Sequence, residues 1–372
     1  MNEQDAATVL RKSIQKVATG PEYSKDLNVE ETRVSMEHIL SGQADPVQAG
    51  IFFIALRMKR ESDEENEGVL RAILDHVKPA TAEVDELVDI ADPYDGYARG
   101  VPASPFLAPV LAACGVAAVS HGAESIGPKY GATHHKILRA AGKKVDMSVD
   151  EAKAQIANPD IGWAYIDQKV YNPGLHELLP LRARMIKRQV MTTVEVLVGP
   201  IRGRKQTHLM TGYVHKAYPP IYARLARQSG FDSAMIVRGV EGGIIPSLQQ
   251  AGKYWYYYDK GEEQMQELDP KSVGIDQASR AVPIPESVPA AASQKDEIDS
   301  AVDIDALARI SAEMGVEALS GKAGPMRDSL VYSAAICLHH LKRYDSLQSA
   351  ADAVRDVLDN GSALERFQRA LT

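Results

Sequence analysis

The residues of this chain best suited to chemistry sit at the ends of short apolar runs. Asp95 and Gly96 follow the run Val88–Ala91 in a stretch rich in Pro, Gly and Asp, and Ser104 precedes a buried helix expected over Phe106–Cys114. A second run, Val116–Ser120, empties into a loop that begins with His121 and Gly122 and continues to Lys129. A strand that ends in a Gly- and Ser-containing loop before a helix presents free backbone N–H groups and the positive end of a helix dipole, which suits a phosphate. Farther along, seven Lys or Arg residues (182, 184, 187, 188, 202, 204 and 205) stand against one acid, Glu195. Such a local excess points to an anionic ligand, since guanidinium groups grip carboxylate and phosphate with two parallel hydrogen bonds. Arg238 and Glu241 end another strand-like run, where the first could hold phosphate and the second fix it.

Each of these residues also has a plainer role available. Asp95-Gly96 is a turn sequence. His121 could tie a loop to backbone. Lys129, with His134 and His135, belongs either to a solvated loop or to a substitute source of positive charge, and the two histidines lack a further ligand at metal spacing. The basic zone could be an ordinary charged face, and Arg238 with Glu241 a strand-end ion pair. The run Tyr254–Tyr258 invites base stacking, but consecutive residues alternate faces on a strand. We expect it to be an edge strand at a dimer or domain boundary.

The elements that must position these groups can be read from punctuation and periodicity. Residues 5–18 form one amphipathic helix, ended by Gly20-Pro21. Three more follow: Asn28 caps the first, Asp45-Pro46 opens the second, and Ser62 with Glu64 and Glu65 caps the third. The first 77 residues are therefore an all-helical unit. From Val84 the runs VDIA, AAVS, IGWAYID, TTVEVLVGP, HLMTGYV and SAMIVRGV alternate with helices, which predicts a mainly parallel sheet with crossover helices. Segment 261–303 is irregular and reads as a surface loop in its second half. Helices over Ile304–Leu319, Arg327–Leu341 and Ser346–Leu358 finish the chain.

Composition narrows the function classes. The 372 residues are 45% hydrophobic and 25% charged, with a formal net charge of −8, which argues against a general polyanion binder. Cys114 and Cys337 both lie in apolar helical runs, no CxxC spacing occurs, and a reducing, cytoplasmic setting is expected. No apolar run approaches the ~18 residues that span a bilayer, and the N-terminus MNEQDAATVLRKSIQKV is too polar for a secretory signal.

Several of these segments together resemble the anthranilate phosphoribosyltransferases of glycosyltransferase family 3. Residues 37–65 follow the pattern ILSGQADPVQ…IALRMKRES-DEE, Pro180-Leu181-Arg182 precedes a run ending Val198-Gly199-Pro200, and GKAGPMRDSLVYSAA spans residues 321–335. The resemblance implies a small N-terminal helical domain (1–77, completed around 172–190) hinged to a large α/β domain (84–171 and 191–372) with a central mainly parallel sheet flanked by helices. It also implies a homodimer formed through the helical domain, and transfer of ribose phosphate from phosphoribosyl pyrophosphate to an aromatic amine with magnesium on the pyrophosphate.

Three family motifs depart here. The GTGGDG phosphate loop falls on Ala91-Asp92-Pro93-Tyr94-Asp95-Gly96, and the downstream Asn-x-Ser-Thr on Pro102, Ser104 and Pro105. Lys-His-Gly-Asn-Arg falls on Ser120-His121-Gly122-Ala123-Glu124, and the magnesium-binding Asp-Gly-x-Asp-Glu on Glu241-Gly242-Gly243-Ile244-Ile245. Two isoleucines offer no oxygen to a hard cation, so magnesium of the family kind is not expected and no cofactor is assigned. Arg182 matches the arginine that contacts the aromatic carboxylate in the family.

The expected function is a divergent paralogue that acts on another anionic or phosphorylated ligand. Asp95, Gly96, Ser104, His121, Gly122, Lys129, Arg182, Arg238 and Glu241 are the candidate ligand-binding residues, and no catalytic residue is assigned. The alternatives are a non-catalytic member that binds nucleotide or nucleic acid, and an ordinary anthranilate phosphoribosyltransferase. No membrane partner is expected.

Overall fold

The computed structural model describes residues 3–294 and 300–371. Four helices open the chain: α1 (Glu3–Val17), α2 (Val29–Leu40), α3 (Pro46–Lys59) and α4 (Asp63–Asp75). Their starts are fixed locally. Asn28 and Ser62 each form a capping box, with Glu31 and Glu65 respectively, and Asp45 accepts from the Val47 and Gln48 N–H groups ahead of Pro46. Helices α2 and α4 press together where a Cβ on Gly68 would stand 2.6 Å from Thr32 Cβ, so only glycine permits that approach.

Among the described residues nine strands follow: β1 (Ala80–Thr81), β2 (Glu86–Ala91), β3 (Ala118–Gly122), β4 (Trp163–Asp167), β5 (Ile201–Arg202), β6 (Gln206–Tyr213), β7 (Ser233–Arg238), β8 (Gly252–Tyr257) and β9 (Gln264–Leu268). β1 and β5 pair with each other, and the other seven form one sheet in the order β4-β3-β2-β6-β7-β8-β9. The first five of that order are parallel, and β8 and β9 are antiparallel additions.

The sheet is covered on both faces, as a parallel sheet must be. Val88, Ile90, Met210, Met235 and Val237 meet the C-terminal helices Ile304–Leu319, Pro325–His340 and Leu347–Asp359 on one face. Leu87, Leu209, Ala234 and Ile236 join Phe52, Phe53, Leu70 and Ile73 of the helical unit in a second continuous core. This is the architecture expected from the sequence: a small N-terminal helical domain and a large α/β domain with a mainly parallel sheet flanked by helices. No described helix is long and apolar enough to cross a membrane.

Four expectations need correction. The run TTVEVLVGP is a short helix, Val190–Val194, with one further turn to Leu197. Helical spacing puts Val190, Met191, Val194 and Leu197 into the second core, and that burial overrides the β preference of the β-branched residues. The tyrosine run is not an edge strand: β8 lies inside the sheet because β9 pairs on its outer side. Tyr254, Tyr256 and Tyr258 follow one another along one face in a tilted and then an edge-on contact, and Tyr258 stacks on His340. Segment 261–303 is not irregular from its start, because its first half holds β9 and a turn of helix at Pro270–Val273; in its second half residues 295–299 lie outside the described ones. Finally, His121 and Gly122 are the last two residues of β3 rather than the start of a loop.

Candidate functional site

β2 connects onward to β3 and β4 on one side of the sheet, whereas β6 leads to β7 on the other. The seam between β2 and β6 is therefore a topological switch point, where the chain leaves the carboxyl ends of neighbouring strands in opposite directions and opens a crevice. A cavity of about 120 Å³ lies there, between Ala91 of β2 and Thr211–Tyr213 of β6. Arg57 of α3, Arg188, Thr192 and Thr193 supply one wall, and Asp95, Tyr218, Tyr222 and Glu241 line it from the α/β side.

Two cations face this space. Arg57 hydrogen-bonds Tyr218 Oη at 3.1 Å, which with nearby Glu61 raises its guanidinium above the ordinary range despite partial burial. Arg188 Nη2 lies 2.7 Å from Asp95 Oδ2. His215 and Tyr218 are tilted neighbours at 6.1 Å, and Tyr218 and Tyr222 at 5.6 Å. Burial pushes the Tyr213 and Tyr222 hydroxyls up, so both stay neutral hydrogen-bonding groups.

The loop after β2 is closed upon itself. Asp92 is buried and accepts from Tyr97 Oη at 3.0 and 2.8 Å, from Ser104 Oγ at 2.5 Å and from the Ile244 N–H at 3.0 Å, and His134 Nε2 lies 3.0 Å away. Burial alone would raise this carboxyl, but the contact with His134 and the hydroxyl donors outweigh it and hold it below the usual range. Gly96 turns at φ +72, and its backbone lies so close to Ala132 that a Cβ would stand 2.8 Å from that peptide. The Tyr97 N–H donates to Ala132 O at 3.1 Å, while the Ala98 and Arg99 N–H groups donate to Glu241 at 3.2 and 2.8 Å. Lys129 Nζ sits between two carboxylates, 3.5 Å from Asp95 and 3.5 Å from Glu241. Glu241 thus occupies a nest of backbone donors of the kind that holds anions.

The structure brings Asp95, Lys129 and Glu241 together at the crevice. It places Arg238 at the exposed end of β7, in register with Tyr213, and no ion pair joins Arg238 to Glu241 among the described residues. The remaining expectations do not reach the crevice. Ser104 is buried against Asp92. His121 is buried with Nε2 2.7 Å from Asp89, its Nδ1 contacting Tyr94 Oη, which in turn meets Tyr171 Oη at 2.5 Å. Gly122 lies under Tyr165, and Gly96 under Ala132.

Arg182 is the largest correction. Its two terminal nitrogens each lie 2.7 Å from Glu195, and both side chains are 1% exposed, so this guanidinium already holds a carboxylate of its own chain. The basic zone disperses likewise: Arg202 is stacked on Phe231, and Arg204 and Lys205 pair with Asp85. Neither His134 nor His135 is in a solvated loop, because Thr133 caps a helix that begins with them and His135 Nδ1 lies 2.6 Å from Asp167.

A magnesium site of the family kind does not fit these residues. Ile244 and Ile245 are buried apolar groups, Glu241 is engaged as described, and among the described residues no three His, Cys, Asp or Glu side chains converge on a metal position. Sequence reasoning missed Arg57, Thr192, Thr193, Tyr213, Tyr218 and Tyr222, all of which line the crevice. The only signal was the position of HLMTGYV at the switch point, which shows only once the strand order is known.

Fold and crevice together define an α/β protein that carries a helical domain on its N-terminal side and a ligand crevice at the strand ends. The chain belongs to the glycosyl transferase family: the family's α/β-domain model matches residues 98–364 and its helical-bundle-domain model residues 11–77. It is anthranilate phosphoribosyltransferase-like. An uncharacterized protein of Aquifex aeolicus is 28% identical over 268 residues, 72% of this chain and 79% of the relative. The anthranilate phosphoribosyltransferase of Rhodococcus jostii is 25% identical over 354 residues, 93% of this chain and 89% of the relative. In fold, the anthranilate phosphoribosyltransferase of Thermus thermophilus superposes with a TM-score of 0.74 at 21% identity, covering 98% of both chains. That of Saccharomyces cerevisiae in complex with PRPP and Mg gives 0.73 at 17% identity, again covering 98% of both chains.

Proposed function

We propose that the crevice binds a phosphorylated, base-bearing ligand, a nucleotide within single-stranded nucleic acid, and does not transfer ribose phosphate from phosphoribosyl pyrophosphate with magnesium. The observation that carries this is the occupation of the loop by Glu241. The Ala98 and Arg99 N–H groups and Lys129 are spent on a carboxylate of the chain, while Arg57, Arg188 and three tyrosine rings still face the crevice.

Tyrosine faces stack on any base, and guanidinium groups take the phosphate between neighbouring nucleotides. Exposed Lys187, Lys216 and Arg238 flank lining residues, next to Arg188, next to His215 and opposite Tyr213, and extend positive charge beyond one nucleotide. The net charge of −8 belongs to the whole surface and leaves this local field in place.

In this reading residues 1–77, completed by 172–190, bring Arg57 and Arg188 to the crevice, and the α/β unit of 84–171 and 191–372 brings the rest of its lining, Thr192 and Thr193 included. We take the protein to be a cytoplasmic homodimer. Val47, Ile51 and Met58 are exposed at helical spacing on α3 and make a suitable apolar face for a second copy.

The test is fluorescence anisotropy with labelled single-stranded oligonucleotides from 50 to 200 mM salt, beside calorimetry with phosphoribosyl pyrophosphate and magnesium. Binding to the strand that weakens steeply with salt, and no magnesium-dependent heat, is expected. Salt-independent or absent strand binding, or turnover of the pyrophosphate, overturns the proposal.

A further inference from the structure

We propose that Asp95 is a built-in competitor for Arg188, so that a ligand enters by exchanging its phosphate for this carboxylate, and that the exchange selects phosphorylated ligands over carboxylates. The inference rests on the reading of the crevice given above and concerns how that site chooses its ligand.

The geometry has three parts. Arg188 Nη2 and Asp95 Oδ2 are 2.7 Å apart and both residues line the crevice, so the ion pair stands inside the space a ligand would use. The Arg188 side chain is 46% exposed whereas that of Asp95 is 2% exposed, so the arginine is the partner free to move. Its segment, between the helices Leu179–Met185 and Val190–Val194, turns at Ile186 in the left-handed region (φ +64), outside regular structure.

Release of Arg188 does not abandon Asp95. Lys129 Nζ stands 3.5 Å from Asp95 Oδ1, on the side away from the Oδ2 that Arg188 contacts. A buried carboxylate stripped of its only cation would be costly, but here the second cation stays and the exchange is a change of partner. Lys129 is itself held by Glu241, also at 3.5 Å, which keeps it in place when the arginine leaves.

The chemistry then favours one kind of anion. Only the Arg188 end of the pair is half-exposed, so solvent screens that end and a stronger anion can draw the arginine away while Asp95 stays on Lys129. A carboxylate offers Arg188 nothing that Asp95 does not already supply. A terminal or inorganic phosphate brings more charge and more acceptor oxygens, an internucleotide phosphate carries one charge but brings a base for the tyrosine faces, and both form the short, charge-assisted pairs that guanidinium prefers. Asp95 therefore sets a threshold that phosphates pass and carboxylates do not.

The test compares wild type, Asp95→Asn, Arg188→Ala and the double variant, by anisotropy with a labelled single strand and by competition with inorganic phosphate and with acetate. Asp95→Asn is expected to tighten strand and phosphate binding by about fivefold and to make acetate a measurable competitor. Arg188→Ala weakens binding, and the double variant matches Arg188→Ala because no arginine remains to be freed. Asp95→Ser removes the carboxylate by another route and gives the same gain. If Arg188→Ala weakens binding but both Asp95 variants bind as wild type does or worse, the competitor role is wrong and the function stands. If no variant binds strand or phosphate, both are wrong.

Discussion

Arg182 and Glu195 meet end to end inside the protein, two nitrogens on two oxygens at 2.7 Å, with Gln168 donating to the same carboxylate at 3.1 Å. Thirteen residues apart in sequence, they join the helix Leu179–Met185 to the turn after Val194. The pair is a fastening within the second core, not a binding group.

Removing one partner leaves the other charge buried and unpaired. Arg182→Met or Glu195→Leu alone should cost about 3–5 kcal/mol, read from urea midpoints at constant slope. The double variant Arg182→Met with Glu195→Leu should recover most of that loss. A single replacement without measurable cost would show that the pair carries no structural weight.

Tyr218 separates stacking from hydrogen bonding in the crevice. Tyr218→Ala should weaken binding of a single strand by about 1–3 kcal/mol. Tyr218→Phe keeps the ring and loses only the contact with Arg57 at 3.1 Å, and should cost clearly less. Equal losses in the two variants would argue against a stacked base.

Much of the fold follows from local chemistry. Asn28, Asp45 and Ser62 announce their helices because a cap needs only neighbours three residues away. β2, β4, β6 and β7 announce themselves as apolar runs because a doubly covered parallel sheet buries both faces. The run from Thr192 to Val198 misleads for the converse reason: its valines suit a strand, and only the distant helical core decides otherwise. The site was far less legible. Glu241 and the Ala98 N–H lie 143 residues apart, and Arg188 and Asp95 lie 93 apart, so whether a charge awaits a ligand or already has one depends on contacts no spacing encodes.

His340 offers a test at acid pH. Its Nε2 lies 2.9 Å from Ser233 Oγ, which is 2.7 Å from His208 Nδ1, and Tyr258 stacks on its ring. Burial, aided by the charges of His208, Lys342 and His339, lowers its pKa from 6.5 to about 3. Between those values the unfolded chain binds a proton that the folded chain refuses, so stability falls as pH drops from 6.5 toward 3. The slope from this group cannot exceed about 1.36 kcal/mol per pH unit. Urea midpoints from pH 4 to 7 should vary less in His340→Asn than in wild type, and an unchanged profile would contradict the assignment.

Lys143 gives the mirror case at alkaline pH. Its ammonium is buried with Gln155 Oε1 at 2.7 Å and Ala370 O at 2.8 Å, and no carboxylate among the described residues contacts it. Burial first, then the charge of Lys144, lowers its pKa from 10.5 to about 8. Above about pH 8 the folded chain sheds a proton that the unfolded chain keeps up to 10.5, so this group makes the protein more stable as pH rises through that window. Lys143→Met should abolish the rise in denaturation midpoints between pH 8 and 10, and its persistence would rule Lys143 out as the source.

The carboxylate of Glu241 among the N–H groups of Ala98 and Arg99 has a consequence for how the chain folds. Removing it alone leaves the half-buried Ala98 amide and the exposed Arg99 amide to water, and leaves Asp95 as the one carboxylate on Lys129 among the described residues. Opening the loop while keeping Glu241 leaves an acid facing any incoming anion. The arrangement is self-sealing: the chain supplies the anion its own loop takes up, and the loop folds to completion whether or not any phosphorylated metabolite is at hand.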